Sequence, residues 1–108
     1  MNATPQDRAA LEASAHKAAR LMKLLASEQR LIILCRLSEG ECSVGELASH
    51  LGMNQAATSQ HLGKMRAEGL VATRRAAQTI YYRMADPAAV QVVDLLCTLY
   101  GGEVKAAG

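Results

Sequence analysis

The sequence predicts a mainly helical domain with a small β-hairpin, and three observations carry that prediction. Capping residues followed by apolar positions three and four apart predict helices through most of the chain. Two segments rich in β-branched and aromatic residues after Gly69 predict a pair of strands. The chain of 108 residues shows neither a repeat nor a low-complexity linker, so we expect a single domain over residues 1–108.

The first two helices are predicted from their N-terminal caps. Thr4 and Pro5 have the residue types of an N-cap and a first helical position, and one apolar stripe continues to Leu25. Ser27 can cap a second helix that ends near Leu37. The apolar centre of that segment, LIILC, is too short for periodicity to exclude a strand, but the polar residues around it favour a helix.

A helix-turn-helix is predicted in the middle of the chain. Ser43 and Glu46 have the spacing of a capping box, and Gly52 can end the helix that they begin. Only Met53 then separates Gly52 from Asn54, which can cap a recognition helix over about residues 55–68. Two short helices joined by such a tight turn are typical of a helix-turn-helix.

A wing over about residues 70–84 and a last helix over about residues 87–100 complete the predicted order α-α-α-α-β-β-α. Asp86 and Pro87 can begin the last helix, which is apolar on nearly every side. One subunit of this size cannot cover such a helix. The sequence therefore predicts a homodimer whose interface is formed by the last helix, 87–100.

The recognition helix is predicted to carry a polar outer face, and the hairpin after it is basic. Residues 54–84 contain five Lys and Arg but only one acidic residue, Glu68. Amide and hydroxyl side chains can pair with base edges in the major groove, while neighbouring cations hold phosphates. A solvated surface is the alternative, but this order of elements favours double-stranded DNA as the partner. The predicted DNA-binding residues are Asn54, Gln55, Ala56, Ser59, Gln60, His61, Lys64, Arg74, Arg75, Gln78 and Thr79.

Other functional classes find little support in the sequence. We find no nucleophile–base spacing, Gly-rich phosphate loop or paired carboxylates, so we predict no enzyme, no catalytic residue and no cofactor. The absence of a long apolar run and of a signal peptide at Met1–Pro5 predicts a cytoplasmic protein with no membrane partner. A similar module that binds only proteins is the remaining alternative, although it would not need the cations Lys64, Arg74 and Arg75.

Residues 43–83, from SVGELASHLGMNQAATSQHLGKMRAEGLVATRR to QTIYYR, resemble the ArsR/SmtB family of winged helix-turn-helix repressors. The flanking helices match the family in position. The resemblance implies a homodimeric repressor that binds an imperfect inverted repeat and is released by a chemical signal. It also implies a dimer built from the first and last helices, about residues 5–25 and 87–100.

The family's two kinds of metal site are not matched. The Cys-x-Cys pair of one kind falls on Ser43 and Gly45, and residues 86–108 contain no His for the other, so no metal ligand is predicted. The thiol-based, persulfide-sensing branch of BigR, SqrR and HlyU is more similar, because Cys35 matches its cysteine in the second helix. The partner cysteine of that branch corresponds to Gly101, whereas this chain has Cys97 one helical turn earlier.

The resemblance to that branch implies a thiol switch, Cys35 and Cys97, that responds to sulfane sulfur or an oxidant. The offset of Cys97 implies that a longer sulfur bridge or a local bend is needed to join the pair. Two alternatives stay open. The cysteines can be core thiols of a constitutive repressor, since the wing also resembles nodulation-type, NolR-like members. Alternatively, Cys42, which we expect to be the most exposed cysteine, can bind arsenite or a soft metal.

Overall fold

The computed structural model describes residues 4–101, which form five α-helices and a three-stranded antiparallel sheet. The elements are α1 Pro5–Leu25, α2 Glu28–Leu37, β1 Cys42–Ser43, α3 Val44–Leu51, α4 Gln55–Ala67, β2 Val71–Ala76, β3 Thr79–Met84 and α5 Pro87–Tyr100. The mainly helical fold with its hairpin wing is confirmed. The predicted domain also includes residues 1–3 and 102–108, which lie outside the described residues.

Side-chain caps determine where the helices begin. In α3, the Ser43 hydroxyl accepts a hydrogen bond from the Glu46 N–H at 3.1 Å, and the Glu46 carboxylate accepts one from the Ser43 N–H at 3.0 Å. The Asn54 side chain caps α4 by accepting from the Ala57 N–H at 3.1 Å. Between the two helices Gly52 has φ +62°, a left-handed conformation that favours glycine and ends α3.

The sheet contains one strand that the sequence did not predict. β1 pairs with β3 to give the order β1-β3-β2, with Cys42 opposite Tyr82 and Ser43 opposite Tyr81. A strand of two residues shows no alternation of its own, because it forms only where the chain before α3 lies along β3. The element order of the described residues is therefore α-α-β-α-α-β-β-α.

The hydrophobic core lies between α2, α3, α4, α5 and the inner face of the sheet. Its buried residues are Leu25, Ile33, Leu34, Leu37, Cys42, Leu47, Leu62, Met65, Leu70, Val71, Ala89, Val93 and Cys97. The expectation that Cys42 is the most exposed cysteine is wrong, since only 1% of this residue is exposed. Strand alternation points its side chain inward, and burial raises the pKa of its thiol.

Two helices leave apolar surface uncovered. α1 is exposed from Pro5 to Arg20, and only its C-terminal turn, around Leu25, reaches the core. On α5, Leu95 and Leu99 are 57% and 61% exposed. Although α1 has 21 residues, no helix within residues 4–101 is both long and apolar enough to cross a membrane.

Candidate nucleic-acid interface and cysteine pair

α4 buries its apolar side and presents a polar side to solvent. Thr58, Leu62 and Met65 are completely buried, and Thr58 also donates a hydrogen bond to the Asn54 carbonyl oxygen at 2.8 Å. The exposed residues on the other side are Gln55, Ala56, Ser59, Gln60 and Lys64. The outer face of α4 is therefore polar, and its small side chains leave room for another surface to approach.

α4 and the wing face each other across a groove with a volume of about 790 Å³. Gln55, Ala56 and Ser59 line the groove from α4, and Gln78 and Thr79 line it from the tip of the wing. The structure thus brings these five predicted residues together around one opening. Five further residues line the groove that were not predicted from the sequence: Ser43, Val44, Gly45, Ile80 and Tyr82.

Three of these additional residues form the capped N-terminus of α3. The Ser43 and Glu46 caps fix this N-terminus, so it forms one edge of the groove. The hydrogen bond from the Ser43 N–H lowers the pKa of the Glu46 carboxyl, which keeps the cap ionised. The Ser43–Glu46 spacing could have located this edge from the sequence, because it marks where α3 begins.

The other residues of α4 and its cap that were predicted to bind DNA lie beside the groove and do not line it. Asn54, Gln60 and Lys64 are exposed, and Gln60 and Lys64 are one helical turn apart on the same side of α4. His61 is half-buried at the border of the apolar side. All four are positioned by the same helix, so a surface that contacts the groove passes close to them.

The two adjacent arginines of β2, Arg74 and Arg75, lie on opposite faces of the hairpin. Arg74 is paired with Tyr81 across the strands, and its guanidinium lies 4.8 Å from the centre of the Tyr81 ring. Arg74 also donates from Nε to the Glu41 carboxylate at 2.7 Å and forms an ion pair with it through Nη2. Arg75 is paired with Ile80, which lines the groove. Cross-strand partners share a face, so Arg75 lies on the groove face and Arg74 on the opposite one.

Cys35 on α2 and Cys97 on α5 are joined by a disulfide, with their Cα atoms 6.3 Å apart. This separation lies within the range of about 4.4–6.8 Å that disulfides span. The expectation that a longer bridge or a local bend is needed is therefore wrong. Cys97 follows Ala89 and Val93 at intervals of four residues on the buried side of α5, which packs against α2.

α2 is also tied to three other helices by its arginines. Arg30 donates to the Leu24 carbonyl oxygen of α1 at 2.9 Å and forms an ion pair with Glu68, the C-cap of α4, at 2.8 Å. Arg36 donates to Nδ1 of His50 on α3 at 3.2 Å. The helix that carries Cys35 is thus linked directly to both helices of the helix-turn-helix.

Within residues 4–101, no group of three or more His, Cys, Asp and Glu side chains is arranged to hold a metal ion. Cys42 is buried in the sheet, away from solvent.

The sequence of this chain is similar to those of known bacterial regulators. Residues 27–73 match the family described as bacterial regulatory protein, arsR family. The transcriptional activator HlyU of Vibrio cholerae is 42% identical over 100 residues, which cover 93% of each chain. The biofilm growth-associated repressor of Xylella fastidiosa is 41% identical, over 90% of this chain and 85% of the repressor.

Solved structures give the same result. The repressor BigR from Xylella fastidiosa superposes with a TM-score of 0.82 at 41% identity, covering 89% of this chain and 95% of BigR. Its fold and those of the sequence relatives confirm the resemblance drawn from residues 43–83, and these relatives are regulators rather than enzymes. The chain belongs to the arsR family of bacterial regulatory proteins.

Proposed function

We propose that this protein is a homodimeric, cytoplasmic transcriptional repressor that binds an imperfect inverted repeat in double-stranded DNA. The observation that carries the proposal is the groove between α4 and the wing, bordered by Gln55, Ser59, Gln78 and Thr79. A recognition helix in the major groove with basic residues beside it is a common mode of sequence-specific binding. The relative from Xylella fastidiosa is named a repressor, whereas the relative from Vibrio cholerae is named an activator.

The proposed roles differ among the residues of this surface. Asn54, Gln55, Ala56, Ser59 and Gln60 meet base edges, because they lie on the outer side or at the cap of α4. Phosphate contacts come from His61, Lys64, Arg75, Gln78 and Thr79, which lie farther along α4 or on the wing. Arg74 contributes mainly by fixing the wing, because its charge is already paired with Glu41.

The dimer in this proposal uses the uncovered surfaces of α1 and α5. Leu95 and Leu99 project from α5 without an intramolecular partner to bury them, and α1 extends away from the core. A twofold dimer would set two α4 helices at half-sites about 34–36 Å apart, or at a multiple of that distance. Two-point binding of this kind requires both copies to keep a fixed relative orientation.

DNA binding and repression can be tested with DNA from upstream of the protein's own gene. We expect a gel shift whose affinity falls steeply with salt, by about 0.9 log units per log unit of salt for each phosphate contact. A reporter gene behind the same DNA should be less active when the protein is present. The absence of a salt-sensitive gel shift would favour a protein-binding module, and a more active reporter would indicate an activator.

We further propose that the Cys35–Cys97 pair switches DNA binding off when it is bridged by an oxidant or by sulfane sulfur. The bridge joins α2, which is linked to the helix-turn-helix, to α5, the proposed dimer helix. A change in the α2–α5 contact would therefore alter the orientation of the two recognition helices. The alternative that uses Cys42 for arsenite is less favourable, because burial raises the pKa of that thiol and soft metals bind thiolates.

The switch can be tested by comparing reduced and bridged protein in the same gel shift, with mass spectrometry to identify the bridge. Reduced wild type should bind more tightly than bridged wild type, by a factor in the range of about 5 to 150 that is typical of allosteric coupling. Cys35→Ser and Cys97→Ser should bind equally before and after treatment, whereas Cys42→Ala should behave as wild type. Equal binding by reduced and bridged wild type would instead support a constitutive repressor.

A further inference from the structure

An apolar pocket with a volume of about 760 Å³ lies between α2, α3 and the C-terminal end of α5. We call it the cysteine pocket because Cys35 and Cys97 form part of its wall. Most of the remaining wall is aliphatic or aromatic, and it consists of Leu31, Ile32, Leu51, Val93, Leu96 and Tyr100. Pockets of this size and character are typical of sites for small organic molecules.

The cysteine pocket does not coincide with the most exposed apolar side of α5. At about 100° per residue, Leu95 and Leu99 each lie about 200° around the helix from Cys97. Tyr100 is on the same side as Val93 and Cys97, and it is 83% exposed because α5 extends beyond the core there. A dimer formed through Leu95 and Leu99 would therefore leave the side that carries the cysteines facing α2.

The charged groups at the rim of the pocket already have partners. Arg36 lies 3.8 Å from the Glu39 carboxylate and donates a hydrogen bond to His50 at 3.2 Å. A small inorganic anion would have to compete with Glu39 for that charge. Binding in the pocket must then come mainly from the burial of apolar surface, which favours neutral molecules with an organic group.

We propose that the cysteine pocket binds the apolar group of an organic hydroperoxide and presents its O–O bond to the Cys35–Cys97 dithiol. The proposal names an oxidant for the thiol switch proposed above. Its role in regulation rests on that switch. The selectivity comes from the pocket, because the reacting atoms of an organic hydroperoxide and of hydrogen peroxide are the same.

The reaction begins at Cys35, which is half-buried, whereas Cys97 is only 4% exposed. The Cys35 thiolate attacks the terminal oxygen, the O–O bond breaks, and the organic part leaves as an alcohol after taking a proton. Cys97 then attacks the sulfur of the resulting sulfenic acid, so that the disulfide forms and water leaves. In total, two thiols and one hydroperoxide give one disulfide, one alcohol and one water, and the dithiol loses two electrons.

The test measures the rate of thiol loss in the reduced full-length chain with cumene hydroperoxide and with hydrogen peroxide at equal concentration. We expect cumene hydroperoxide to react faster by about tenfold or more, since even one methylene group in an apolar pocket is worth roughly that factor. Ile32→Asn should slow the reaction with cumene hydroperoxide several-fold and leave the hydrogen peroxide rate unchanged. Ile32→Leu is the matched control, because it keeps an apolar side chain of the same size and should retain the wild-type preference.

Ile32 is 44% exposed, so an asparagine there does not open the core, and circular dichroism can verify the fold. If Ile32→Asn is unfolded, Tyr100→Ser at a position that is 83% exposed provides the same comparison. Equal rates with both peroxides in wild type, or a preference that survives both substitutions, would overturn the proposal. Because the readout is thiol chemistry, a failure of the bridge to release DNA would count against the switch and not against the pocket.

Discussion

Adjacent Arg74 and Arg75 on the wing differ in their electrostatic environment. The hydrogen bond from Arg74 lowers the pKa of the Glu41 carboxyl, and the same bond raises the pKa of Arg74. Arg75 has no carboxylate partner among the ion pairs of residues 4–101, and its Nε–H donates to the Ala77 carbonyl oxygen at 3.3 Å. The sequence assigns both arginines to DNA, and only the strand register separates them.

Arg75→Ala should therefore change the salt dependence of DNA binding more than Arg74→Ala. Loss of one phosphate contact lowers the slope of log affinity against log salt by about 0.9. We expect that change for Arg75→Ala and a smaller one for Arg74→Ala, whose charge is already neutralised by Glu41. Gel shifts at several salt concentrations measure both slopes, with Arg8→Ala on α1 as the control. An equal decrease for both wing variants would mean that Arg74 leaves Glu41 and binds phosphate.

Gln60 lies on the exposed side of α4, where its amide can pair with a base edge. Gln60→Ala should weaken binding to the cognate site by about 1–3 kcal/mol and reduce the discrimination among bases at one position. Competition gel shifts with singly substituted operators measure that discrimination. The control is Gln29→Ala, which removes an exposed glutamine from α2 and should leave both the affinity and the base discrimination unchanged. A uniform loss on every operator would assign Gln60 to the DNA backbone instead.

At the scale of the elements, α5 combines two functions on two sides. Its inner side, at Ala89, Val93 and Cys97, belongs to the core of one subunit. Its outer side carries Leu95 and Leu99, which the subunit does not cover. A small domain gains stability when such a surface is buried by a second copy.

Leu99→Glu should produce a folded monomer. Leu99 is 61% exposed in the subunit, so a carboxylate there does not disturb the core, but its burial in an apolar interface would be costly. Light scattering measures the mass, and circular dichroism verifies the helices. Leu99→Met retains an apolar side chain and should remain dimeric. If Leu99→Glu is a folded dimer, then the interface lies on another surface.

The sequence predicts well the elements that are determined locally. Thr4, Ser43, Asn54 and Asp86 cap helices as their residue types predict, and each cap acts through neighbouring N–H groups. β1 is different because its pairing with β3 depends on a contact about forty residues away, Cys42 with Tyr82. No local pattern encodes that contact.

The burial of Cys42 and the short distance between Cys97 and Cys35 were missed for related reasons. Cys42 directly precedes the Ser43 N-cap, a position that often packs against the residue four places into the helix, here the buried Leu47. The partner cysteine of the family corresponds to Gly101, so we expected Cys97 to lie too far from Cys35 for a direct bond. The spacing of four residues along α5 nevertheless places Cys97 on the same side of the helix as Val93. The distance between α2 and α5 is a tertiary quantity, and it decides whether Cys35 and Cys97 can meet.

For the whole molecule, α2 is the element through which the parts communicate. It contacts α5 through Cys35, the C-cap of α4 through Arg30 and α3 through Arg36. A displacement of α2 relative to α5 would therefore reach the helix-turn-helix through two polar contacts in addition to the shared apolar core. Glu68 is the C-cap of α4, so its ion pair with Arg30 acts at the end of α4 opposite the Asn54 cap.

The contact between Arg36 and His50 should carry part of the coupling between the cysteine bridge and DNA. His50→Ala removes the acceptor for the Arg36 Nε–H, so α3 would follow a displacement of α2 less closely. We expect the ratio of DNA affinities of reduced and bridged protein to decrease, with a coupling free energy below that of wild type, for which we expect the typical range of about 1–3 kcal/mol. Gel shifts on both forms give the ratio, and mass spectrometry should find the Cys35–Cys97 bridge formed to the same extent as in wild type.

The matched control is His16→Ala, because His16 is also an exposed histidine but lies on α1, outside this contact. It should keep the wild-type ratio. An unchanged ratio in His50→Ala would mean that the coupling passes through Arg30 and Glu68 or through the apolar core. A ratio that falls together with the yield of the bridge would have another meaning. In that case His50 would act on the chemistry of Cys35, through its position at the rim of the cysteine pocket, and not on the transmission to α3.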